Sequence, residues 1–163
     1  MRVYLPTTLA GLATLLEAGE IEVPLAYAVT PALREWYAEG DTEELEYVAT
    51  GAAARACLRL LQVGGGPDRR VVLAADVADA AARPAPDLDH AAVRLGAPVR
   101  LADVQAALVD DADAGLDVRR AIDALDDAEA GDEDARLTVD DLEDRELGWY
   151  AAQELGVLVA LEG

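Results

Sequence analysis

One apolar stretch constrains the fold of this 163-residue chain more than any other feature, and it covers residues 71–75, between Arg70 and Asp76. Five consecutive apolar residues bounded by charged ones are typical of a β-strand that is buried on both faces. Because side chains alternate between the two faces of a strand, both faces need a cover, as in parallel or mixed sheets. The stretch therefore predicts a sheet that is covered by helices.

Helix boundaries are marked by capping residues. Asp41 followed by Glu44 resembles a capping box, and the run of glycines that begins at Gly64 ends the same helix. Thr30 before Pro31 is a typical helix start, because proline fits the first turn. The predicted helices cover approximately residues 8–17, 31–39, 42–62, 116–128 and 151–161.

Further strands are predicted from apolar runs and from alternation. Val104, Ala106 and Leu108 alternate as in a strand, although Leu101, Val104 and Leu108 also fit one helix face, and we choose the strand. Residues 157–161 fit either the end of the last helix or one more strand. The predicted strands cover approximately residues 3–5, 25–30, 70–76, 93–95, 101–110 and 147–150.

The resulting order, β-α-β-α-α-β-β-α-β-α, separates most strands by helices. It predicts a single α/β or α+β domain over residues 1–163, with a mixed, mostly buried sheet of about five strands flanked by helices. Residues 129–146 are predicted to form an acidic, charged connection within this domain, because residues 132–144 hold few apolar side chains.

The charge of the chain is strongly negative and unevenly distributed. The chain carries 33 acidic residues against 13 basic ones, a net charge of −20, and residues 103–146 alone hold 17 acids and 4 arginines, a net −13. Such a surface repels phosphate backbones and anionic lipids, so neither nucleic acid nor a membrane is an expected partner. Within this segment an EF-hand frame that begins at Asp132 is broken, because Leu137 stands where the turn needs glycine.

The residue types that are missing exclude several chemistries. The chain has no Lys and no Ser, which excludes a Schiff-base lysine, a P-loop lysine and a serine nucleophile. His90 is the only histidine, and Cys57, the only cysteine, falls beside the apolar stripe of a predicted helix, where packing is its expected role. With one cysteine and no long apolar run near the N-terminus, we expect a cytoplasmic protein.

A group of carboxylates follows predicted strands. Asp76, Asp110 and Asp111 stand at strand ends, and Thr8 and Thr30 follow two other strands. If the strands are parallel, these oxygens meet at one edge of the sheet, where they would suit Mg²⁺ and phosphoryl chemistry. The alternative interpretation is that they cap the helices that follow, which is the usual role of Asp and Thr in such places.

Two tryptophans stand out because aromatic residues make up only 4% of the chain. Trp36 and Trp149 are each followed by a tyrosine, and we expect the tryptophans to pack in the core, since they bury a large area. The alternative is that they are exposed and form an interaction surface. The expected partner is then a protein, and a second copy of the chain is one option.

Several segments resemble an uncharacterised actinobacterial family, a domain of unknown function. The resemblance implies a host with a GC-rich genome, which agrees with the absence of Lys, Asn and Phe, although adaptation to high salt would also remove Lys. It also implies a strand over 104–110, and it supplies no activity or catalytic residue. The matching segments, covering most of the chain, are MRVYLPTT at 1–8, AVTPALREWY at 28–37, EELEY at 43–47, RRVVLAADV at 69–77 and WYAAQE at 149–154.

Two function classes follow. The first is a non-catalytic protein-interaction or regulatory module, favoured because nucleophiles and bases are missing or isolated. The second is a divalent-metal-dependent enzyme that uses Asp76, Asp110 and Asp111. The sequence favours the first.

Overall fold

The apolar stretch at residues 71–75 forms an interior strand of a seven-stranded sheet in the computed structural model, which describes residues 1–162. The strands are, in chain order, β1 Arg2–Thr7, β2 Glu20–Ile21, β3 Leu25–Tyr27, β4 Val71–Asp76, β5 Ala82–Pro84, β6 Ala92–Leu95, β7 Val99–Arg100, β8 Val104–Val109 and β9 Gly148–Ala151. The helices are α1 Leu9–Ala18, α2 Pro31–Trp36, α3 Thr42–Gly64, α4 Gly115–Glu129, α5 Glu133–Asp141 and α6 Leu155–Glu162.

The main sheet has the order β5-β6-β3-β1-β4-β8-β9, and every neighbouring pair in it is antiparallel. The α/β class with flanking helices is confirmed, but the prediction of a mixed sheet is wrong. The segment between α1 and β3 explains the difference. Tyr4 pairs with Tyr27, so β3 begins beside the end of β1. Residues 19–24 therefore return the chain from the end of α1 to that end of the sheet before β3 starts, and β3 runs antiparallel to β1. β2 and β7 pair separately as a two-stranded ribbon.

Both faces of the sheet are buried, as the apolar stretch predicts. Alternate residues of β4 point to opposite sides: Leu73 belongs to the core beneath α1 and α6, whereas Val72 belongs to the core beneath α3. Leu12 of α1 and Ala53 of α3, both fully buried, cover these two faces. A third cluster joins the end of α3 to α4 and α5.

The predicted helix starts are confirmed in atomic detail. Thr8 accepts a hydrogen bond from the amide of Gly11 at the start of α1, and Thr30 accepts one from the amide of Leu33, both at 3.1 Å. Asp41 and Glu44 form a complete capping box at the start of α3. These side chains satisfy amide groups that have no partner within the helix.

The acidic segment is not a bare connection, because residues 133–141 form α5. The side chain of Asp132 caps this helix, accepting a hydrogen bond from the amide of Ala135 at 2.9 Å. Ala135, Val139 and Leu142 are buried against α4. Their spacing of four and three residues is one helical stripe, and it suffices to hold a helix whose other positions are charged.

The segments that the sequence left open are now assigned. Residues 104–109 are the strand β8, as chosen, and residues 157–161 belong to the helix α6. No helix within the described residues combines the length and the apolar character that crossing a membrane requires.

Candidate functional site

A buried ion pair between Arg70 and Asp110 lies where β4 begins and β8 ends. Nε and Nη2 of Arg70 each donate to a carboxylate oxygen of Asp110 at 2.8 Å, and the Arg70 amide donates to the same carboxylate at 2.8 Å. The side chains are 4% and 0% exposed. Nη2 of Arg70 also donates to the carbonyl of Arg145 at 3.2 Å, which fastens the chain between α5 and β9 to the sheet.

A second arginine reinforces this corner. Nε of Arg69 donates to the backbone carbonyl of Asp110 at 2.7 Å, and Nη1 contacts Glu162 at 2.5 Å. Arg69 therefore connects the end of β8 to the last helix. Charge-assisted hydrogen bonds of this kind fix geometry as well as adding stability.

The antiparallel sheet separates the carboxylates that we expected to meet. Arg2 pairs with Asp76, whereas Val71 pairs with Val109, so Asp76 and Asp110 lie at opposite ends of the sheet. The condition for a shared magnesium site, parallel strands that end at one edge, is not met.

Of the five candidate ligands, all but Asp111 have another side-chain contact. Asp76 accepts a hydrogen bond from Nε of Arg2 at 2.6 Å, and this guanidinium holds the pKa of the carboxyl below its ordinary value. Asp110 is bound by Arg70, and exposed Asp111 precedes the turn at Ala112–Ala114. Thr8 and Thr30 cap helices, and Thr30 also donates to the carbonyl of His90. Within residues 1–162 no three His, Cys, Asp or Glu side chains form a group that could hold a metal ion.

Cys57 packs in the core, as expected. Its side chain is fully buried, and its thiol donates to the carbonyl of Val71 at 3.1 Å. Burial raises the pKa of Cys57 to about 12, so the thiol stays protonated at neutral pH. The thiol thus lacks the activated state that nucleophilic chemistry requires.

A groove of about 610 Å³ opens beside the buried ion pair. Arg70 lines it together with Leu108, and its walls come from α2, α3, α5 and residues 142–147. Tyr47 and Gly51 stand on the exposed side of α3, and a side chain added at Gly51 would meet nothing within 4 Å. The apolar residues that line the groove include Leu33, Trp36, Val48, Ala52, Ala54, Leu58, Leu108, Val139, Leu142 and Leu147.

The three arginines that line the groove are all engaged in ion pairs, mostly with acidic residues outside its lining. Nη1 of Arg55 contacts Asp140 at 3.0 Å and Glu143 at 3.3 Å, which ties α3 to the end of α5. Nε of Arg145 contacts Asp117 at 3.1 Å. The groove is therefore an apolar surface between structural ion pairs.

The two tryptophans are exposed, which overturns the expectation of core packing. Trp36 and Trp149 each expose 65% of their surface. The Trp36 ring stacks on His90 with 4.3 Å between ring centroids, and both residues line the groove. Trp149 lies on β9, the edge strand of the sheet, and is not among the groove residues. The alternative interpretation of the tryptophans, exposure at a surface, is the one that the structure matches.

A family model matches residues 1–159 of the chain. The chain belongs to DUF6912, a family of unknown function. Membership of DUF6912 agrees with the resemblance seen in the sequence, and the match covers the ion pair and the groove. Neither the curated proteins nor the solved structures gave a match.

Sequence reasoning missed Arg70, Tyr47 and Gly51 of this DUF6912 chain as groove residues. Arg70 was noticed only as the charged boundary of the apolar stretch. A possible signal was a charge at each end of two buried strands, Arg70 before β4 and Asp110 after β8, because antiparallel pairing places such charges side by side. Tyr47 and Gly51 gave no signal, since their exposure depends on how α3 lies on the sheet.

Proposed function

We propose that this protein is a non-catalytic interaction module, whose groove binds a segment of a partner protein that carries apolar and basic side chains. The observation that carries this proposal is the groove itself, with an apolar lining and exposed aromatic side chains at Trp36 and Tyr47, which are 65% and 67% exposed. Exposed tryptophan and tyrosine are the residues that most often dominate binding at protein interfaces.

The apolar lining determines what the partner must supply. Leu108 and Leu147 are only partly buried and pack against the core beneath α3. An apolar side chain placed on them gains burial without needing a new polar partner. A polar or charged side chain at the same place would lose its hydration with no compensation.

The charge of the surrounding surface determines which charged residues the partner should carry. Residues 103–146 have a net charge of −13, and α5, one wall of the groove, belongs to this segment. Glu143 and Glu146 lie at the groove as well, and each of its three arginines is already paired with an acidic residue. Such a field attracts a basic segment and repels an acidic one.

We do not propose the enzymatic alternative as a second function, because it depended on Asp76 and Asp110 meeting. The cytoplasmic location stays a prediction from the sequence.

Two peptides with the same apolar residues provide the test, one with Arg and one with Glu at every charged position. The protein carries Trp149→Phe, so that its fluorescence reports Trp36 alone. We expect the Arg peptide to shift this fluorescence with a Kd at or below about 100 µM, and we expect added salt to weaken it. The Glu peptide should bind at least about tenfold more weakly, a difference of about 1.4 kcal/mol.

Two glycines of α3 provide a matched pair of variants. Gly51→Leu fills the groove, whereas Gly64→Leu adds the same side chain to the same helix outside it, and neither added Cβ meets an atom within 4 Å. Binding should be lost with Gly51→Leu and kept with Gly64→Leu. Equal binding by both variants, equal binding of both peptides, or no binding of either would contradict the proposal.

A further inference from the structure

The last helix, α6, exposes large apolar side chains to solvent. Val157 is 61% exposed and Leu161 is 78% exposed, whereas Leu155 and Leu158 on the other side of the helix are buried in the core. An apolar helix that leaves one such face uncovered typically has a partner.

The helices on this side of the sheet are almost free of charge. Across α1 and α6 there are two acidic residues, Glu17 and Glu162, and no arginine. Glu162 is paired with Arg69 at 2.5 Å. On the other side, α4 and α5 hold nine acidic residues and three arginines. The strongest charge of the molecule is thus on other helices than the exposed apolar face.

This distribution of charge favours a second copy of the chain as the occupant. Two molecules of net charge −20 repel each other, and the repulsion is smallest when their acidic helices stay apart. Contact through α1 and α6, which carry only Glu17 and Glu162, leaves α4 and α5 of both copies in solvent. A basic partner, by contrast, gains nothing electrostatic from this face.

The shape of α6 is also complementary to itself. Val157 and Leu161 form a row four residues apart, and beside it Gly156 and Ala160 form a parallel row of small residues. In a two-fold arrangement, the large row of each copy fits against the small row of the other, as ridges pack into grooves. On α1, which packs against α6, Ala10 and Thr14 are exposed as well.

We propose that the protein forms a two-fold symmetric homodimer through α6 and the adjoining side of α1. The dimer leaves the groove open on both copies, since none of Val157, Leu161 and Gly156 lines it. It is independent of the proposed function.

Sedimentation equilibrium of the full chain measures the association. At about 100 µM and physiological salt, we expect the wild type to have twice the monomer mass of 17.1 kDa. Raising salt should tighten the dimer, because it screens the repulsion between the two copies. A wild type that stays monomeric at this concentration in both low and high salt would overturn the proposal.

Three variants locate the interface. Leu161→Asp places a charge on the face and should give a monomer. Leu137→Asp places the same charge at an exposed leucine of α5, 61% exposed, and should remain a dimer. Gly156→Leu fills the small row without changing charge, and an added Cβ there meets nothing within 4 Å, so it should be folded and monomeric.

Circular dichroism of each variant, which should match the wild-type spectrum, checks that it is folded. Loss of the dimer in Leu137→Asp, or a dimer in both Leu161→Asp and Gly156→Leu, would show that α6 is not the interface. The peptide assay at the groove should be unaffected by Leu161→Asp, which keeps this test separate from that of the proposed function.

Discussion

Two aspartates, Asp110 and Asp76, stand at the ends of neighbouring strands and have opposite environments. Asp110 is fully buried and receives three hydrogen bonds from Arg70, whereas the side chain of Asp76 is 52% exposed and pairs with Arg2. Removing one member of a buried pair leaves a charge without compensation, whereas water compensates the loss at the surface. The same residue type is therefore expected to contribute very differently to the free energy of unfolding at the two positions.

Replacing each aspartate by asparagine tests this difference. We expect Asp110→Asn to lower the free energy of unfolding by about 3–5 kcal/mol and Asp76→Asn by about 1 kcal/mol or less. Urea denaturation measures both, with the wild type as reference. Losses of equal size would contradict the assignment of Asp110 as the anchor of the β4–β8 corner.

At the scale of elements, α5 is a helix that its charged sequence does not predict. Its sequence, EDARLTVDD, has few apolar residues, yet Val139 and then Leu142, just after the helix, are buried against α4. Ion pairs to the same region add to this packing, since Arg55 contacts Asp140 and Glu143. A stripe this narrow has too little apolar area to predict a folded helix unless its neighbour is known.

Two leucines, one in the middle of α5 and one just after it, form a matched pair for a stability measurement. Leu142 is 4% exposed and Leu137 is 61% exposed. We expect Leu142→Ala to lower the free energy of unfolding by about 2–5 kcal/mol, because it leaves a cavity, and Leu137→Ala to change it by about 0.5 kcal/mol or less. A small effect at Leu142 would mean that α5 is not packed on α4.

How much of each element could be predicted also follows from particular residues. The starts of α1, α2 and α3 were predicted because Thr8, Thr30 and the pair Asp41 and Glu44 act on their own next few residues. The direction of the strands was not predicted correctly. A helical connection can lead to a parallel or an antiparallel strand, because extra residues such as 19–24 can return the chain to the other end of the sheet. The candidate metal site depended on parallel strands, a condition that this sheet does not meet. The groove was not predicted, because its walls are far apart in the sequence.

At the scale of the whole molecule, the charge of −20 separates into regions with different roles. The acidic residues of α4 and α5 lie on one side of the sheet with α3, and the weakly charged helices α1 and α6 cover the other. Arg59 of α3 reaches Asp126 of α4 at 2.8 Å, so part of the acidic surface is neutralised where the helices meet. The remaining charge repels itself.

Salt should therefore stabilise the protein over a limited range. Raising salt from about 10 mM to 150 mM shortens the screening length from about 30 Å to 8 Å and weakens this repulsion. We expect the melting temperature to rise by about 2–4 °C, equivalent to about 1 kcal/mol, and then to level off. Scanning calorimetry measures it, and a steep rise that continues to molar salt would instead indicate adaptation to high salt.

The sequence by itself determined the features that depend on local chemistry. It predicted the helix caps, the doubly buried strand at residues 71–75, the α/β class and the residue types that exclude several reactions. Only the tertiary structure decided which distant residues meet. Antiparallel pairing brought Asp110 to Arg70 and took Asp76 away, and packing on the sheet left Trp36 in solvent. The physical reason is range: capping and periodicity act over a few residues, whereas register and exposure depend on elements far apart in the chain.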